Sequence, residues 1–302
     1  MIRILDSDGM EKSAVKALEE LGCEVVQKFY ETDDLMRQVK EFDALVVRSA
    51  TKVRVPVIDA ALETGRLKVI IRGGVGIDNI DADYAREKGI KVYATPNASS
   101  ASVAELAIGH LFCLTRHIHT ANVTMREGKW EKKHYNGIEL AGKTIGLIGF
   151  GRIAKCVAAM AAGLGMNVIY TNRTGHKPEN EPYRYVPIDE LLAESDIISL
   201  NVPKVDKPFV TAAEIAKMKD GVYIINTSRG SMIVEDDLLD ALDSGKVAGA
   251  GLDVFVEEPT GNQRLYTHPK ISMTPHIGAQ TAEAQARIGR EIISIIKSEL
   301  NL

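Results

Sequence analysis

The sequence predicts an α/β protein with two Rossmann-like or flavodoxin-like domains, each built on a parallel sheet. Short β-branched runs alternate with amphipathic stretches in two separate series, which favours parallel strands with helices on both faces. A last helical pattern follows the second series. The 302-residue length is enough for two domains, each with a core of its own.

The first series occupies the first third of the chain. Its first amphipathic stretch is Glu11–Leu21, between two short apolar runs. Alternation of this kind predicts strands at Ile2–Leu5, Glu24–Val26, Ala44–Val47, Val69–Ile71 and Lys91–Tyr93.

A long helix is expected from about Ser102 towards Arg126, before the second series begins. The strands predicted for that series are Thr144–Ile148, Asn167–Tyr170, Ile197–Leu200, Val222–Ile225, Ala250–Asp253 and Ile271–Thr274. The closing helix, Ala282–Leu300, repeats isoleucine at helical spacing. Because it follows a completed sheet, we expect it to return to the first domain, which then comprises 1–96 and 278–302, with 97–277 inserted.

Composition excludes several classes of protein. The net charge of −4 argues against a nucleic-acid surface, which usually needs a basic excess. No apolar run is long enough to cross a bilayer. The chain enters a strand pattern at Met1–Asp6 without a signal peptide, so a cytoplasmic location is expected. Neither the three cysteines nor any histidine pair has the spacing of metal ligands, so no metal site is expected.

A glycine-rich loop follows the predicted strand Thr144–Ile148 and precedes a helix-prone stretch. It reads Gly149-Phe150-Gly151-Arg152-Ile153-Ala154, the G-x-G-x-x-G/A pattern. Gly149 permits the tight turn, Gly151 lets the backbone approach a pyrophosphate, and Ala154 lets helix and strand pack closely. The helix N-terminus favours the anion, and Arg152 could add a charged contact. The loop therefore predicts binding of a nicotinamide dinucleotide.

The residue after the next strand bears on which dinucleotide binds. An acid usually stands there and holds the adenosine ribose hydroxyls. In this chain the position is Asn172, followed by Arg173. Asn172 removes the repulsion that an acid would exert on a 2′-phosphate, and Arg173 could attract that phosphate. NAD is the expected cofactor, with NADP an open alternative; in the NAD interpretation Asn172 hydrogen-bonds the ribose.

Three polar segments each follow a predicted strand of the second series. They place Arg229, Glu258 and His276 at or beyond the carboxyl ends of strands, where ligands bind in open α/β sheets. Arginine can hold a carboxylate with a bidentate fork, and histidine has a suitable pKa for accepting a hydroxyl proton. A carboxylate beside the histidine would fix its tautomer. Any one of these residues alone would be typical of a solvated surface.

These segments, taken with several others, resemble the D-2-hydroxyacid dehydrogenase family, and within it the phosphoglycerate dehydrogenases. The resemblance covers nearly the whole chain. Besides the glycine-rich loop and the three polar segments, the matching motifs are Val47-Arg48-Ser49-Ala50-Thr51-Lys52-Val53, Gly73-Gly74-Val75-Gly76-Ile77-Asp78-Asn79-Ile80-Asp81, Ser102-Val103-Ala104-Glu105-Leu106 and Gly128-Lys129-Trp130.

The resemblance implies an enzyme that transfers hydride between NAD(P) and a D-2-hydroxy acid. His276 would be the acid–base group and Glu258 its partner, while Arg229 would bind the substrate carboxylate and carbonyl oxygen. The backbone amides of Val75 and Gly76 would help hold the carboxylate. On the cofactor side it implies contacts from the loop residues Arg152 and Ile153, from Thr227 and Ser228, and from Asp253 to the nicotinamide carboxamide.

The implied substrate is 3-phosphoglycerate, oxidised to 3-phosphohydroxypyruvate at the first step of serine synthesis. A phosphate site could use Arg48, Ser49 and Arg72, which stand at predicted strand ends.

The resemblance also implies a homodimer through the dinucleotide domain, in which Trp130 inserts into the partner and a cation such as Lys132 completes the partner's phosphate site. Alternatively, Lys132 and Lys133 are a solvated charge run, and Trp130 is a local core residue.

Two other functions share these motifs. Glyoxylate or hydroxypyruvate reduction needs the same three residues but less binding of a second anion, and Asn172 with Arg173 suits the NADPH that such reductases often use. Ser99 and Asn201 depart from residues frequent in phosphoglycerate dehydrogenases.

A non-enzymatic alternative is a dinucleotide-sensing, corepressor-like binding protein, which would carry extra segments for partners. Because the chain stops soon after its last helix, we expect neither such segments nor a C-terminal regulatory domain with serine feedback.

Overall fold

The structure is a computed structural model that describes residues 1–180 and 182–302. The chain forms two compact units. The first comprises Met1–Ser99 and Ala279–Leu302, and the second comprises Ser100–Gly278. The chain therefore passes between the units twice, once before the first helix of the second unit and once after Gly278.

The first unit is a parallel sheet with helices between its strands. The five strands stand in the order β2-β1-β3-β4-β5, the flavodoxin-like order, and every pairing is parallel. Its elements are β1 (Arg3–Asp6), α1 (Lys12–Glu20), β2 (Glu24–Gln27), α2 (Thr32–Gln38), β3 (Ala44–Val47), α3 (Val55–Leu62), β4 (Val69–Arg72), α4 (Ala82–Glu87) and β5 (Lys91–Ala94).

The last helix of the chain, α12 (Ala282–Leu300), belongs to this first unit. Its buried isoleucines Ile288, Ile292 and Ile296 join one hydrophobic cluster with Leu18 of α1 and Ile71 of β4. The other face of the sheet is covered by a second cluster from α2, α3 and α4. Burial of the isoleucine stripe is what brings the end of the sequence back to its beginning.

The second unit carries a larger parallel sheet, with seven strands among the described residues in the order β12-β11-β10-β9-β6-β7-β8. Its elements are α5 (Ser100–Thr115), α6 (Ile118–Arg126), β6 (Thr144–Ile148), α7 (Arg152–Gly163), β7 (Asn167–Thr171), β8 (Arg184–Tyr185), α8 (Ile188–Glu194), β9 (Ile197–Leu200), α9 (Ala212–Lys217), β10 (Val222–Asn226), α10 (Glu235–Ser244), β11 (Val247–Leu252), α11 (Gln263–Thr267) and β12 (Ile271–Met273).

The strand order of this sheet reverses at β6. From β6 the chain builds outwards through β7 and β8, and then returns to add β9 to β12 on the other side. In doubly wound sheets a ligand binds at such a switch point, outside the carboxyl ends of the strands. The predicted α/β class with two parallel sheets is confirmed, and the order of this sheet matches the Rossmann arrangement.

The expectation of one long helix from Ser102 to Arg126 was wrong. Two helices, α5 and α6, occupy this stretch, and His117 between them adopts a left-handed conformation with φ +54°. The carbonyls at the end of α5 are taken by other groups: Thr115 O accepts from the N–H of Ile138, and Cys113 O lies 3.0 Å from Nδ1 of His119. No proline or glycine marks this break, so the periodic pattern concealed it.

Candidate active site

The glycine-rich loop links β6 to α7 at the switch point of the second sheet. Gly149 has φ +85°, and a Cβ there would lie 2.5 Å from the carbonyl oxygen of Asn201. By contrast, a Cβ on Gly151 would meet nothing within 4 Å. The tight turn therefore requires glycine at 149, whereas Gly151 leaves open space beside the N-terminus of α7, and Ala154 is fully buried in the core beneath it.

A cavity of about 940 Å³ opens at this loop, bordered by Gly149, Phe150 and Gly151. Close by, the Oδ1 atom of Asn201 is buried and has no hydrogen-bond partner among the described residues, and the same is true of Oγ1 of Thr227 beyond the end of β10. Buried polar atoms are almost always paired. The open glycine, the cavity and these two orphaned oxygens fit a bound dinucleotide that supplies the missing donors.

Most of the charged residues that are described along the cavity are basic. Asn172 follows β7, and its Oδ1 accepts a hydrogen bond of 3.1 Å from the hydroxyl of Thr174. Among the described residues that line the cavity, Glu179 is the one acidic residue. The cations that line it are Lys155, Arg173, Lys177, Lys204 and Lys207. Neighbouring Glu181 lies outside the described residues.

His276 and Glu258 meet beyond the ends of β12 and β11. Nδ1 of His276 lies 2.7 Å from Oε2 of Glu258, and both side chains are about one-third exposed. Oε1 of Glu258 accepts a hydrogen bond of 3.2 Å from the backbone N–H of Phe255. Since an ionised carboxylate only accepts, the proton of this pair sits on Nδ1, and Nε2 of a neutral His276 is left as a base.

Arg229 stands on the loop after β10 and acts electrostatically on the same carboxylate. Burial alone would raise the pKa of Glu258, but the hydrogen bond and charge of His276, the Phe255 N–H and the charge of Arg229 hold that pKa below its ordinary value. The three residues singled out from the sequence are thus coupled in one place. The loop of Arg229 is fixed by Asn226, whose Nδ2 donates to the Arg229 carbonyl at 2.8 Å.

Glycine is required immediately after this arginine. A Cβ on Gly230 would lie 1.9 Å from the carbonyl carbon of Phe255, so the two loops pass in direct contact. Because Phe255 also donates its N–H to Glu258, this close approach ties the arginine loop to the segment that holds the carboxylate. The sequence pattern around Arg229 indicated a ligand site without revealing this packing.

Asp253 is placed differently from the other candidates. It is 1% exposed, and its carboxylate accepts hydrogen bonds from the hydroxyl of Thr274 and from the backbone N–H groups of Ile277 and Gly278, at 2.6, 2.8 and 2.8 Å. Its contact with the nicotinamide carboxamide stays a prediction. Of the two loop residues at the start of α7, Arg152 is exposed and Ile153 packs partly against the hydrophobic core.

The remaining candidates of the first unit lie at the carboxyl ends of its strands. Arg48 follows β3, and its guanidinium donates to Oε1 of Gln280 at 2.8 Å. Burial lowers the pKa of Arg48, and the charges of Asp8 and Asp6 partly offset this effect. Arg72 ends β4 and lies over Gly74, since a Cβ on Gly74 would be 1.7 Å from Nη1 of Arg72.

The loop after Gly74 offers backbone donors. Val75 is 40% exposed, and neither its N–H nor that of Gly76 donates a hydrogen bond within the described chain. Ser49 is also exposed, beside Arg48. A pair of free, adjacent amides is suited to a carboxylate, although the assignment of these residues to a substrate remains a prediction.

A family model matches residues 108–278, more than half of the chain. Its description is D-isomer specific 2-hydroxyacid dehydrogenase, NAD binding domain. The chain belongs to the D-2-hydroxyacid dehydrogenases. Its second unit is accordingly an NAD-binding domain of that family, as the glycine-rich loop predicted.

Relatives of this dehydrogenase carry two kinds of name. The hydroxypyruvate reductase of Thermotoga maritima is 48% identical over 99% of both chains. The D-3-phosphoglycerate dehydrogenases of Methanocaldococcus jannaschii and Rattus norvegicus are 41% and 39% identical over 99% and 96% of this chain, which spans 58% and 55% of theirs. Among solved structures, a glyoxylate reductase from Paecilomyes thermophila is 34% identical, with a TM-score of 0.88 over 99% of this chain and 94% of its own.

The dehydrogenase fold also brings residues to the site that the sequence patterns did not mark. Lys204 and Lys207 line the cavity from the loop after β9, and His110 of α5 joins Thr274 next to Asp253. A strand end followed by two lysines was a usable signal for the first pair. Nothing local could have indicated His110, because its partner is 164 residues away.

Among residues 1–180 and 182–302, no group of three His, Cys, Asp or Glu is placed to hold a metal ion. No helix in that part of the chain combines the length and apolar character needed to span a bilayer.

Proposed function

We propose that the protein catalyses hydride transfer between a nicotinamide dinucleotide and C2 of a three-carbon D-2-hydroxy acid, with His276 as the acid–base group. The observation that carries the proposal is the 2.7 Å hydrogen bond between Nδ1 of His276 and Glu258, with Arg229 acting on the same carboxylate. This arrangement provides a base with a fixed tautomer beside a cation suited to a carboxylate.

Each residue has a distinct task in this chemistry. Nε2 of His276 takes the hydroxyl proton during oxidation and returns it during reduction. Glu258 stabilises the imidazolium that forms, because its carboxylate already accepts the Nδ1 proton. Arg229 holds the substrate carboxylate through its guanidinium fork. The dinucleotide, held at Gly149–Ala154 with Thr227 as a further contact, supplies or accepts the hydride when bound.

For the substrate we favour 3-phosphoglycerate and 3-phosphohydroxypyruvate. The supporting observation is that Arg48 and Arg72 stand at the ends of the adjacent strands β3 and β4, and that their side chains pack against Gly73 and Gly74, which precede the amides of Val75 and Gly76. Two cations beside a carboxylate-binding loop suit a substrate with a second anion on C3. Several relatives bear the name of this activity, which would supply the precursor of serine.

Hydroxypyruvate, without the phosphate, is the second candidate. Arg48 is flanked by the carboxylates of Asp8 and Asp6, which reduce its attraction for a phosphate. The 48% identical relative from Thermotoga maritima is named for hydroxypyruvate reduction and matches the chain over its full length. A reductase of this kind would run towards the hydroxy acid.

For the cofactor we propose that NADP(H) is accepted beside NAD(H). An acid at the position of Asn172 would repel a 2′-phosphate, and the described residues that line the cavity next to it include five cations and one acid. Lys204 and Lys207 extend the basic wall that begins at Arg173. All three of these side chains are exposed, so they are available to an anion.

We also propose a homodimer formed through the second unit. Helix α6 has no buried residue among those described, and it presents Ile118, Val123 and Met125 to solvent. Trp130 follows and is 79% exposed, so the alternative that it is a local core residue was wrong. A solvent-facing helix with large apolar side chains is typical of an interface. Lys132 is exposed in the same segment and is available to a partner's substrate.

One set of reduction assays tests the proposed substrate and cofactor together. The keto acids phosphohydroxypyruvate, hydroxypyruvate and glyoxylate are each reduced with NADH and with NADPH, and kcat/KM is compared. A preference for phosphohydroxypyruvate supports the phosphate assignment to Arg48 and Arg72. Equal or better use of hydroxypyruvate would replace it with the second candidate. Absence of turnover with every keto acid would contradict the proposed reaction itself.

A further inference from the structure

Polar side chains form a continuous hydrogen-bonded chain from α5 to the loop of His276, in which His110, Ser272 and Asp253 are buried and Thr274 is half-buried. His110 on α5 is 2% exposed. Its Nδ1 lies 2.9 Å from the hydroxyl of Ser272, and its Nε2 lies 2.9 Å from the hydroxyl of Thr274. The Thr274 hydroxyl in turn lies 2.6 Å from Oδ1 of Asp253.

The directions of these hydrogen bonds are fixed by the carboxylate at one end. An ionised carboxylate only accepts, so the hydroxyl proton of Thr274 points to Asp253. The Thr274 oxygen then accepts from Nε2–H of His110, and the unprotonated Nδ1 accepts from the Ser272 hydroxyl. A single neutral tautomer of His110 satisfies all three bonds. Burial has the largest effect on the pKa of His110 and lowers it, although the charge of Asp253 acts in the opposite direction. The lowered pKa also favours the neutral ring.

At its other end the chain reaches the backbone that carries the acid–base residue. The Asp253 carboxylate accepts the N–H groups of Ile277 and Gly278, and the Asp253 carbonyl accepts the N–H of His276 at 2.9 Å. His276 has φ +53°, a conformation that non-glycine residues adopt at a cost. Such a conformation persists where the surroundings fix it, and here these three hydrogen bonds do so.

The space for the His110 ring is provided by a glycine. A Cβ on Gly251 of β11 would lie 2.7 Å from Cβ of His110 and 3.1 Å from its Cγ. The imidazole therefore packs directly on the sheet at Gly251. This glycine pairs with Ser272 of β12 and stands two residues before Asp253. A side chain of similar volume without ring nitrogens can keep this packing while losing both hydrogen bonds.

We propose that His110 is a positioning residue for His276, acting through Thr274 and Asp253. By donating Nε2–H, His110 holds the Thr274 hydroxyl in the orientation that serves Asp253. Asp253 then keeps one carboxylate orientation, with each oxygen on an amide of the 276–278 loop. Without His110 the Thr274 hydroxyl can turn, the carboxylate loses its fixed orientation, and the His276 imidazole departs from its place beside Glu258. The proposal rests on the proposed acid–base role of His276.

Two variants break the chain at different bonds. H110L removes both ring nitrogens, and T274V removes the hydroxyl with little change of shape. The matched control is T115V on the same helix: Thr115 is buried, and its hydroxyl donates to the Leu111 carbonyl, away from Asp253. We expect H110L and T274V to lower kcat about tenfold with KM for the keto acid nearly unchanged. H110Q, which restores an N–H donor, recovers part of the loss.

A second readout does not depend on turnover. Backbone amide exchange at Ile277 and Gly278 should accelerate about tenfold in H110L and T274V and stay unchanged in T115V. In the wild-type protein, nitrogen NMR of the imidazoles should show His110 as the neutral Nε2–H tautomer at neutral pH. A charged His110, an Nδ1–H tautomer, or unchanged exchange at both amides in folded T274V would overturn the proposal. Accelerated exchange in a protein that turns over no hydroxy acid would contradict only the role of His276.

Discussion

Nδ1 of His276 donates a hydrogen bond of 2.7 Å to Oε2 of Glu258, although 18 residues separate the two along the chain. The loops after β11 and β12 bring them together because parallel strands place their carboxyl ends at one edge of the sheet. The bond fixes which ring nitrogen faces away from Glu258, and that nitrogen is the one available to a substrate.

Replacement of Glu258 should therefore impair chemistry more than binding. E258Q keeps an acceptor for Nδ1–H but loses the charge that stabilises the imidazolium. We expect kcat for keto-acid reduction near pH 7 to fall by about 10²-fold, a typical share of acid–base catalysis. The pH dependence of kcat should also change, because the negative charge that stabilises the imidazolium is lost. Steady-state kinetics across pH test this, and an unchanged profile would contradict the role of Glu258.

The lowered pKa of Glu258 also predicts a pH-dependent contribution to stability. A carboxyl whose folded pKa lies below its unfolded value stabilises the fold above the unfolded pKa, and this contribution is lost as pH falls through the folded pKa. The wild type should exceed E258Q in free energy of unfolding at pH 7 by at most about 1 kcal/mol, since the side chain is partly exposed. Urea titrations from pH 7 downwards should show the difference shrink; growth of the difference on acidification would contradict the sign.

Cofactor choice should respond to the residue after β7. N172D introduces the acid that holds ribose hydroxyls and repels a 2′-phosphate, so kcat/KM with NADPH should fall at least about tenfold relative to NADH. K217Q is a matched surface control, because Lys217 pairs with Asp189 and does not line the cavity. If the wild type already prefers NADH by about a hundredfold, roughly 2.7 kcal/mol, NADP(H) is not a cofactor of this protein.

The two arginines of the first unit should distinguish the substrates. R48Q and R72Q are expected to raise KM for phosphohydroxypyruvate about tenfold or more, because each loses a charged contact to phosphate, and to change KM for hydroxypyruvate by less. R54Q serves as a control, since Arg54 is an exposed arginine of the same unit that pairs with Asp81. Equal effects on both keto acids would remove the phosphate assignment while leaving the reaction intact.

Charge placed on the exposed face of α6 should disrupt the proposed dimer. V123E with W130A puts a carboxylate into an apolar interface and removes its largest side chain, so the dimer should dissociate into chains of 32.9 kDa. Sedimentation equilibrium or light scattering measures the mass. The exposed double variant K16E/E20K on α1 is the control, because it only reverses a surface ion pair. A wild type of single-chain mass would contradict the homodimer.

Much of this protein follows from its sequence alone. The alternation of apolar runs fixes two parallel sheets, since strands buried on both faces must be continuously apolar. The glycine pattern at Gly149–Ala154, between a strand pattern and a helix pattern, predicts a dinucleotide loop, because small residues at this spacing allow the tight turn and the close approach of a pyrophosphate. The position of α12 after a completed second sheet predicts its return to the first domain, and its isoleucine stripe predicts the face that it buries. These features depend on local spacing and burial, which sequence records directly.

Other features were decided by tertiary structure. The break at His117 depends on two hydrogen bonds to carbonyls at the end of α5: the N–H of Ile138 bonds to Thr115 O, and Nδ1 of His119 bonds to Cys113 O. The pattern of side chains does not show those bonds. The basic wall of the cavity joins Arg173 after β7 to Lys204 and Lys207 after β9, strands that lie on either side of β6. The chain of hydrogen bonds from His110 to Asp253 joins α5 to two strand ends far along the sequence. Hydrogen bonds between distant polar groups act over about 3 Å and have no fixed spacing in the sequence, so only the folded chain reveals which of these groups meet.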